Sequence, residues 1–325
     1  MITISPLYPI KFEPILKQKV WGGNKLNKIF QKQAKGKIGE SWEISGVEGN
    51  ISEIMNGPLK GKTLNWLLEF YKEKLVGEKV YKDFGKTFPL LFKYIDAQED
   101  LSVQVHPDDI LAEEKHNSFG KTELWYLLDV EKEGRLILGF NKNINQQKYL
   151  KALSENRVAE ILHSEAIKNG DAFVLKPGTV HAIGAGVLLA EIQQTSDITY
   201  RIYDWDRPDI NGEMRELHTD LALQAINFNP KKAKLNYSEV DNQSVHIGIT
   251  SFFSVNKLKL TQNSVRDLEA IPSFTVYMCV EGSAVIETDD FSEEIKKGET
   301  ILIPAQLPEI KFITNSASFL EVYIP

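Results

Sequence analysis

Strict alternation in one short stretch constrains this chain more than its composition does. Leu101-Ser102-Val103-Gln104-Val105-His106 sets apolar and polar residues at alternate positions. In a β-strand this puts Ser102, Gln104 and His106 on one face and Leu101, Val103 and Val105 on the other. Three polar side chains on one face are costly if that face is buried without partners. The face is therefore either open to water or part of a site. Pro107-Asp108-Asp109 stops the strand. A second strand-like run, Thr122–Leu128, follows, with Lys121 and Glu123 on the same side. Gln, His and Glu can all ligate a divalent metal through N or O atoms.

The chain has 325 residues, 42% of them hydrophobic. That is enough for a substantial core in two domains, or in one large domain with an appendage. No run approaches transmembrane length, and the N-terminus lacks the basic and apolar regions of a signal peptide. The single cysteine, Cys279, excludes an intrachain disulfide and fits a reducing cytosol, so a cytoplasmic protein with no membrane partner is expected. The net charge of −7, with both signs mixed, argues against nucleic acid as a partner. An anionic ligand would need locally placed cations.

Along the chain, residues 1–57 read as loops and short strands, with Glu40 and Trp42 on one face of Gly39–Ser45. Pro58–Gly85 is the clearest helical segment, with Thr63 as its N-cap and Leu64, Leu67, Leu68, Tyr71 and Leu75 at helical spacing. Phe88–Ala97 has the composition of a strand buried on both faces. Further strands are expected at 135–140, 171–175, 187–193 and 199–203. One or two short helices are expected in 145–162, and another at Arg215–Ile226, packed through Leu217, Leu221 and Ala225. Residues 229–245 form the best candidate linker, and from His246 onward the chain is strand-rich without a helix. Many short strands in each half point to sandwiches or barrels.

Two more stretches carry chemistry. The tight turn Lys176-Pro177-Gly178-Thr179 delivers His181 onto a strand. Alone, His181 would be an ordinary core or surface histidine; beside His106 and Glu123 it becomes a third candidate ligand. The spacing of 106, 123 and 181 suits ligands on separate strands, not a zinc finger or a helical HExxH. In Glu191–Arg207, charged residues crowd into a strand–turn–strand unit. Surface ion pairs would account for them, at little energy each. Yet Ile198, Tyr200, Ile202, Tyr203 and Trp205 make the unit too apolar for full exposure, and a half-buried Arg201 calls for an anion.

Together these pieces resemble the type I mannose-6-phosphate isomerase family of the cupin superfamily, in its shorter bacterial form. The matching residues are Trp21-Gly22-Gly23, Gly39-Glu40-Ser41-Trp42-Glu43, Phe88-Pro89-Leu90-Leu91, Gln104-Val105-His106-Pro107-Asp108, Lys121-Thr122-Glu123, Pro177–Ala182, and Glu191 with Ser196-Asp197 and Arg201. The resemblance implies a mainly β fold of two cupin-type jelly-roll barrels with a few helices on the N-terminal half. It divides the chain into a catalytic metal-binding domain, 1–239, and a C-terminal barrel without a metal site, 240–325. It also implies one zinc ion per chain held by Gln104, His106, Glu123 and His181, and Arg201 as the catalytic arginine. Lys121 and Glu191 match further catalytic positions, and Ser102, Lys121 and Arg201 match substrate-binding ones. The partner implied is a small sugar phosphate, and the chain is expected as monomer or homodimer.

In the C-terminal half the general cupin pattern recurs at Gly298 and Pro304, but Gln306 stands where it needs glycine and Glu309 where it needs histidine. No metal is expected there, which leaves that half a packing or dimerising role. His116, His163, His218 and His246 match no motif position and read as structural or surface residues. Aldose–ketose interconversion moves a proton between C1 and C2 through an enediolate. The negative charge that develops suits a divalent cation with Arg201 beside it. Lys121 is a candidate for the phosphate, and the base is Glu191, Asp197 or metal-bound water. A cupin oxygenase using the same two histidines and carboxylate, or a non-catalytic sugar-binding cupin, are the alternatives.

Overall fold

The computed structural model describes residues 5–33, 35–141, 144–229 and 232–325. Its strands form three antiparallel sheets. The first has seven strands in the spatial order Lys234–Leu235, Ala172–Leu175, Glu123–Val130, Val187–Gln194, Leu90–Ala97, Ile15–Gly23 and Ile38–Ile44. Its last strand also pairs with Leu90–Ala97. The second has five, in the order Tyr200–Tyr203, Val103–Val105, His181–Ile183, Arg135–Phe140 and Leu162–Ala166. The third, of eight strands, is built on the long strands Thr275–Glu287 and Glu309–Tyr323, which pair with each other. The chain is mainly β as expected, but the barrels are open: the first two sheets face each other as a sandwich and share no paired strand.

Period-two alternation builds the layers. In Leu90–Ala97 every residue is buried, because Leu90, Phe92 and Tyr94 face one core while Ile95 and Ala97 face another. The inner core joins the first sheet to the second through Trp125, Leu127, Phe173 and Leu189 against Leu136 and Ile183. Behind the second sheet, Val103, Val105, Ala182, Tyr200 and Ile202 pack with Tyr149 and Ala222 from the two covering helices, Gln146–Ser154 and Thr219–Ala225. Behind the first sheet, Leu90, Phe92 and Tyr94 share one core with Val276, Met278, Leu320 and Val322 of the third.

Several expectations change in detail. The helical segment after Pro58 is three short helices, Leu64–Tyr71, Glu73–Val76 and Glu78–Phe84. The Thr63 cap is present, its hydroxyl accepting from Trp66 N at 3.2 Å. The breaks fall at Lys72 and Gly77, both with positive φ. Gly77 has no substitute: a Cβ there would lie 2.2 Å from the Pro272 carbonyl oxygen, so this turn of chain fits tightly against the third sheet. Leu101 joins the inner core rather than the outer one, because regular strand begins only at Val103. Leu217 is 44% exposed and precedes the helix, which spans Thr219–Ala225 and buries Ala222. The candidate linker is partly strand, since Lys234–Leu235 pairs with Ala172–Phe173; its residues 230 and 231 lie outside the described residues.

The two ends of the chain are tied together. Ile10–Lys11 pairs with Ile301–Leu302 in the third sheet, and Ala305 N and Gln306 N donate to Leu75 O and Lys74 O, each at 2.9 Å. No helix among the described residues is long and apolar enough to cross a membrane.

The shared core makes a mechanical prediction. Phe92→Ala should cost about 3–5 kcal/mol, the transfer and cavity terms of a buried aromatic. Because Phe92 contacts both halves' core, urea unfolding should remain a single transition by fluorescence and far-UV circular dichroism. Two separated transitions would mean that the halves unfold independently.

Candidate metal centre and its cavity

The sandwich leaves one end of its interior polar, and the side chains picked out by the alternation meet there. Gln104 and His106 come from one strand of the second sheet and its exit. His181 opens the neighbouring strand, with Gln104 as its Cα partner. Glu123 opens a strand of the facing sheet. The turn before His181 is stitched to this group, since Gly178 N donates to His106 O at 3.0 Å. Gly178 holds φ +83°, and an added Cβ would come within 2.8 Å of Ala225 O, which makes glycine a requirement of that turn.

Each imidazole is oriented from behind. His106 Nδ1 donates to Ile198 O at 2.9 Å, and His181 Nδ1 donates to Thr179 O at 2.8 Å. In the neutral tautomers this fixes, each Nε2 carries a lone pair directed inward. His106 Nε2 lies 3.2 Å from Glu123 Oε1, and His181 Nε2 lies 3.8 Å from Glu123 Oε2. The ligand atoms of these three buried residues fall within 4.8 Å of one another, and no other His/Cys/Asp/Glu group of this kind occurs among the described residues. Gln104 Nε2 donates to His181 Nε2 at 3.2 Å; a half-turn of the amide would present Oε1 to the same point.

The electrostatics match a cation site. Burial, aided by the charge on Lys121, pushes the His106 imidazole down to about 3; burial also lowers His181. Burial pushes the Glu123 carboxyl up, but Lys121 and His106 overcome it and hold it well below the usual range. Yet His106 Nε2 and both Glu123 oxygens are buried without a hydrogen bond. Two neutral ring nitrogens and an ionised carboxylate facing one another, one nitrogen met only by the Gln104 amide and the rest without a hydrogen bond, are the donor set a divalent metal takes up.

The other expected residues surround this group. Lys121 Nζ sits 3.1 Å from Glu123 Oε1. Glu191 is held by Lys93 Nζ at 3.0 Å and by Trp125 Nε1 at 2.8 Å; burial and the nearby Glu123 raise its pKa. Arg201, whose Cα partner is Gln104, donates through Nη1 to Glu216 O at 2.8 Å and leaves Nε without a partner. Ser102, Gln104, Lys121, Glu191, Asp197 and Arg201 all line one cavity of about 430 Å³.

Four cationic residues of that cavity wall were not singled out by the sequence: Lys17, Lys19, Lys93 and Arg215. For Lys93 a signal existed, a lysine inside an apolar run buried on both faces. His218, read as structural, holds the Arg201 backbone: its Nδ1 accepts from Arg201 N at 3.1 Å.

Fold and site together define a β-sandwich protein of the cupin type with a candidate mononuclear metal centre between its sheets. The family model for phosphomannose isomerase type I, catalytic domain, matches residues 10–133, and that for the mannose-6-phosphate isomerase cupin domain matches residues 243–323. Mannose-6-phosphate isomerase ManA of Bacillus subtilis is 34% identical, covering 95% of this chain and 96% of that protein. The probable mannose-6-phosphate isomerase GmuF of the same organism is 36% identical, covering 93% and 95%. A crystal structure of mannose 6-phosphate isomerase from Bacillus subtilis superposes with a TM-score of 0.89 at 32% identity, over 98% of this chain and 100% of that one. The chain belongs to the type I phosphomannose isomerase family.

Metal analysis of purified protein should find one divalent ion per chain. His106→Ala should reduce this to a small fraction while the circular dichroism spectrum is kept, since the cores do not include His106. Full occupancy in the variant would remove His106 from the ligand set.

Proposed function

We infer that this chain is a metal-dependent aldose–ketose isomerase that interconverts mannose 6-phosphate and fructose 6-phosphate. The observation that carries the reading is the buried, inward-facing His106–Glu123–His181 group beside a cavity whose wall bears six cationic side chains (Lys17, Lys19, Lys93, Lys121, Arg201 and Arg215) and three carboxylates. In a protein of net charge −7, such a local excess of positive charge selects an anionic ligand.

We assign His106, Glu123, His181 and the Gln104 amide oxygen as metal ligands. This nitrogen and oxygen set suits zinc. A divalent cation there supplies fixed positive charge where negative charge develops on the substrate's O1 and O2. The protein's own groups do the rest. The reaction takes a proton from C2 and returns one to C1, while the hydroxyl proton on O2 passes to O1. C1 is thereby reduced and C2 oxidised, with no external electron acceptor. Glu191, a buried carboxyl with a raised pKa, is suited to carry a proton between the carbons. Lys121 lies against Glu123 and so stands at the reacting end of the cavity, where it adds charge stabilisation. Arg201, one strand from Gln104, presents a guanidinium to the same end, and Ser102 offers a hydroxyl to the sugar.

The same two histidines and carboxylate would satisfy a non-haem iron oxygenase, but that chemistry gives no reason for a cavity ringed with cations. In this reading, residues 240–325 serve packing and carry no second metal.

A coupled assay on mannose 6-phosphate, with chelation and metal add-back, tests the activity directly. Arg201→Ala should lower kcat by roughly 10²–10³-fold, the cost of losing one donor to transition-state charge. KM should change much less and metal content should stay at the wild-type level. Arg201→Lys should restore only part of the rate, because lysine lacks the planar fork. A variant with normal kcat and a raised KM would make Arg201 a binding residue instead.

A further inference from the structure

The reading above leaves the phosphate without an assigned partner, and the cavity's ion pairs narrow the choice. Lys19 is spent on Glu40 at 3.1 Å, Lys93 on Glu191 at 3.0 Å and Lys121 on Glu123 at 3.1 Å. Arg215 is clamped by Asp204 through Nε and Nη2, each at 2.5 Å. Two cations on the wall have no carboxylate partner among the described residues: Arg201 and Lys17. Arg201 stands one strand from Gln104, at the end where C1 and C2 would react. Lys17 stands elsewhere.

Its place follows from the register of the first sheet. Trp42 is the Cα partner of Lys93, Lys93 of Glu191, and Glu191 of Trp125, so a single rung crosses four strands. At the usual strand spacing that rung runs about 14 Å from the strand bearing Glu123 to the strand bearing Trp42. Lys17 lies one strand further, with Glu40 as its Cα partner, and reaches back so that its ammonium sits 4.9 Å from the Trp42 ring centroid. Asn50 Oδ1 accepts a hydrogen bond from it. Trp42 is itself fixed, because its Nε1 donates to Glu40 Oε2 at 2.6 Å and the Lys93 ammonium lies 5.1 Å from its ring centroid.

We propose that Lys17, braced on Trp42 and Asn50, is the phosphate anchor of this cavity and the residue that makes it prefer a phosphorylated sugar to a free one. The proposal rests on the isomerase reading for the identity of the sugar, but not for the anion. An ammonium whose only hydrogen-bond partner is a neutral amide keeps its full charge and two further N–H donors for a dianion. The Trp42 face stabilises the cation without neutralising it. The charges of Lys19, Lys93 and Lys121 are each offset by a carboxylate at about hydrogen-bond distance, so they attract a dianion less.

The test is calorimetric titration of the metal-loaded protein with mannitol 6-phosphate, which carries the phosphate and lacks the reacting carbonyl, alongside steady-state kinetics. Lys17→Met should weaken mannitol 6-phosphate binding about 10- to 100-fold, the range for losing one charged hydrogen-bonding group. It should raise KM for mannose 6-phosphate in parallel and move kcat by less than about threefold. Lys17→Arg, which keeps the charge, should recover most of the binding. Gln18→Ala, on the outer face of the same strand, should behave as wild type in both measurements. Unchanged mannitol 6-phosphate affinity in Lys17→Met would overturn the proposal, as would a fall in kcat at unchanged KM. If the wild-type protein proves unable to isomerise mannose 6-phosphate, the isomerase reading fails, and the titration still decides whether Lys17 holds a phosphate.

Discussion

An ionised carboxylate in a protein interior is tolerated only when its charge is met at close range, and the N-terminal sandwich is arranged around that constraint at Glu123. Its side chain is 1% exposed. Three groups approach it within 4 Å, yet neither oxygen accepts a hydrogen bond. Everything nearby is organised to keep the position rigid without filling it. The histidine rings are pinned through Nδ1 by carbonyls of the chain. Trp125, two residues along the same strand, is buried at full depth and spends its indole N–H on Glu191. A pre-set, unsatisfied donor set is strained alone and becomes stable when a cation enters.

The C-terminal half shows the opposite solution to the same problem. Glu321 is also 1% exposed, on the inner side of the third sheet. It accepts from Tyr277 at 2.8 Å, from Arg266 Nη2 at 2.6 Å, from Asn256 at 3.0 Å and from Ser244. Burial raises its pKa, but Arg266 together with the hydrogen bonds from Asn256 and Ser244 brings it below the ordinary value. Here protein donors alone satisfy the charge, so a cation entering this interior would have to compete with an arginine already in place. Glu309, at the position where the sequence pattern needs a histidine, is exposed on the strand that pairs with Ser264–Asp267. The two halves thus differ in whether the buried carboxylate is left open or closed.

Much of the site was legible in the sequence because its geometry is local. Alternation alone places Gln104 and His106 together, Lys121 beside Glu123, and Glu40 beside Trp42. A turn with an obligate glycine places His181. What was not legible depends on pairing between distant strands. Nothing local says that Trp42, Lys93, Glu191 and Trp125 form one rung, so Lys93 read as part of a core strand and Lys17 drew no notice. The helical run after Pro58 kept its apolar spacing through the first of its two breaks, since Leu75 remains buried on the same core. Close packing of Gly77 against Pro272 imposes one of those breaks, and that contact has no local signature. Leu101 turned inward because its strand pairing starts two residues later than its alternation.

Arg201 shows how the remaining cavity charges act together. Burial lowers its pKa, and the neighbouring Arg215 lowers it further, so the protein holds this guanidinium against both desolvation and repulsion. Arg215 is itself neutralised by Asp204, while Arg201 has one carbonyl and an unpaired Nε. A group kept charged at such a cost gains most from an anion that approaches it. Negative charge that appears only during reaction gains more than charge present throughout, because the donors need no reorganisation at that moment. The ion pairs along the wall, Lys19–Glu40 and Lys93–Glu191, confine this unrelieved positive charge to the two ends of the cavity. A substrate with a fixed dianion at one end and a transient negative charge at the other is the ligand such a distribution favours.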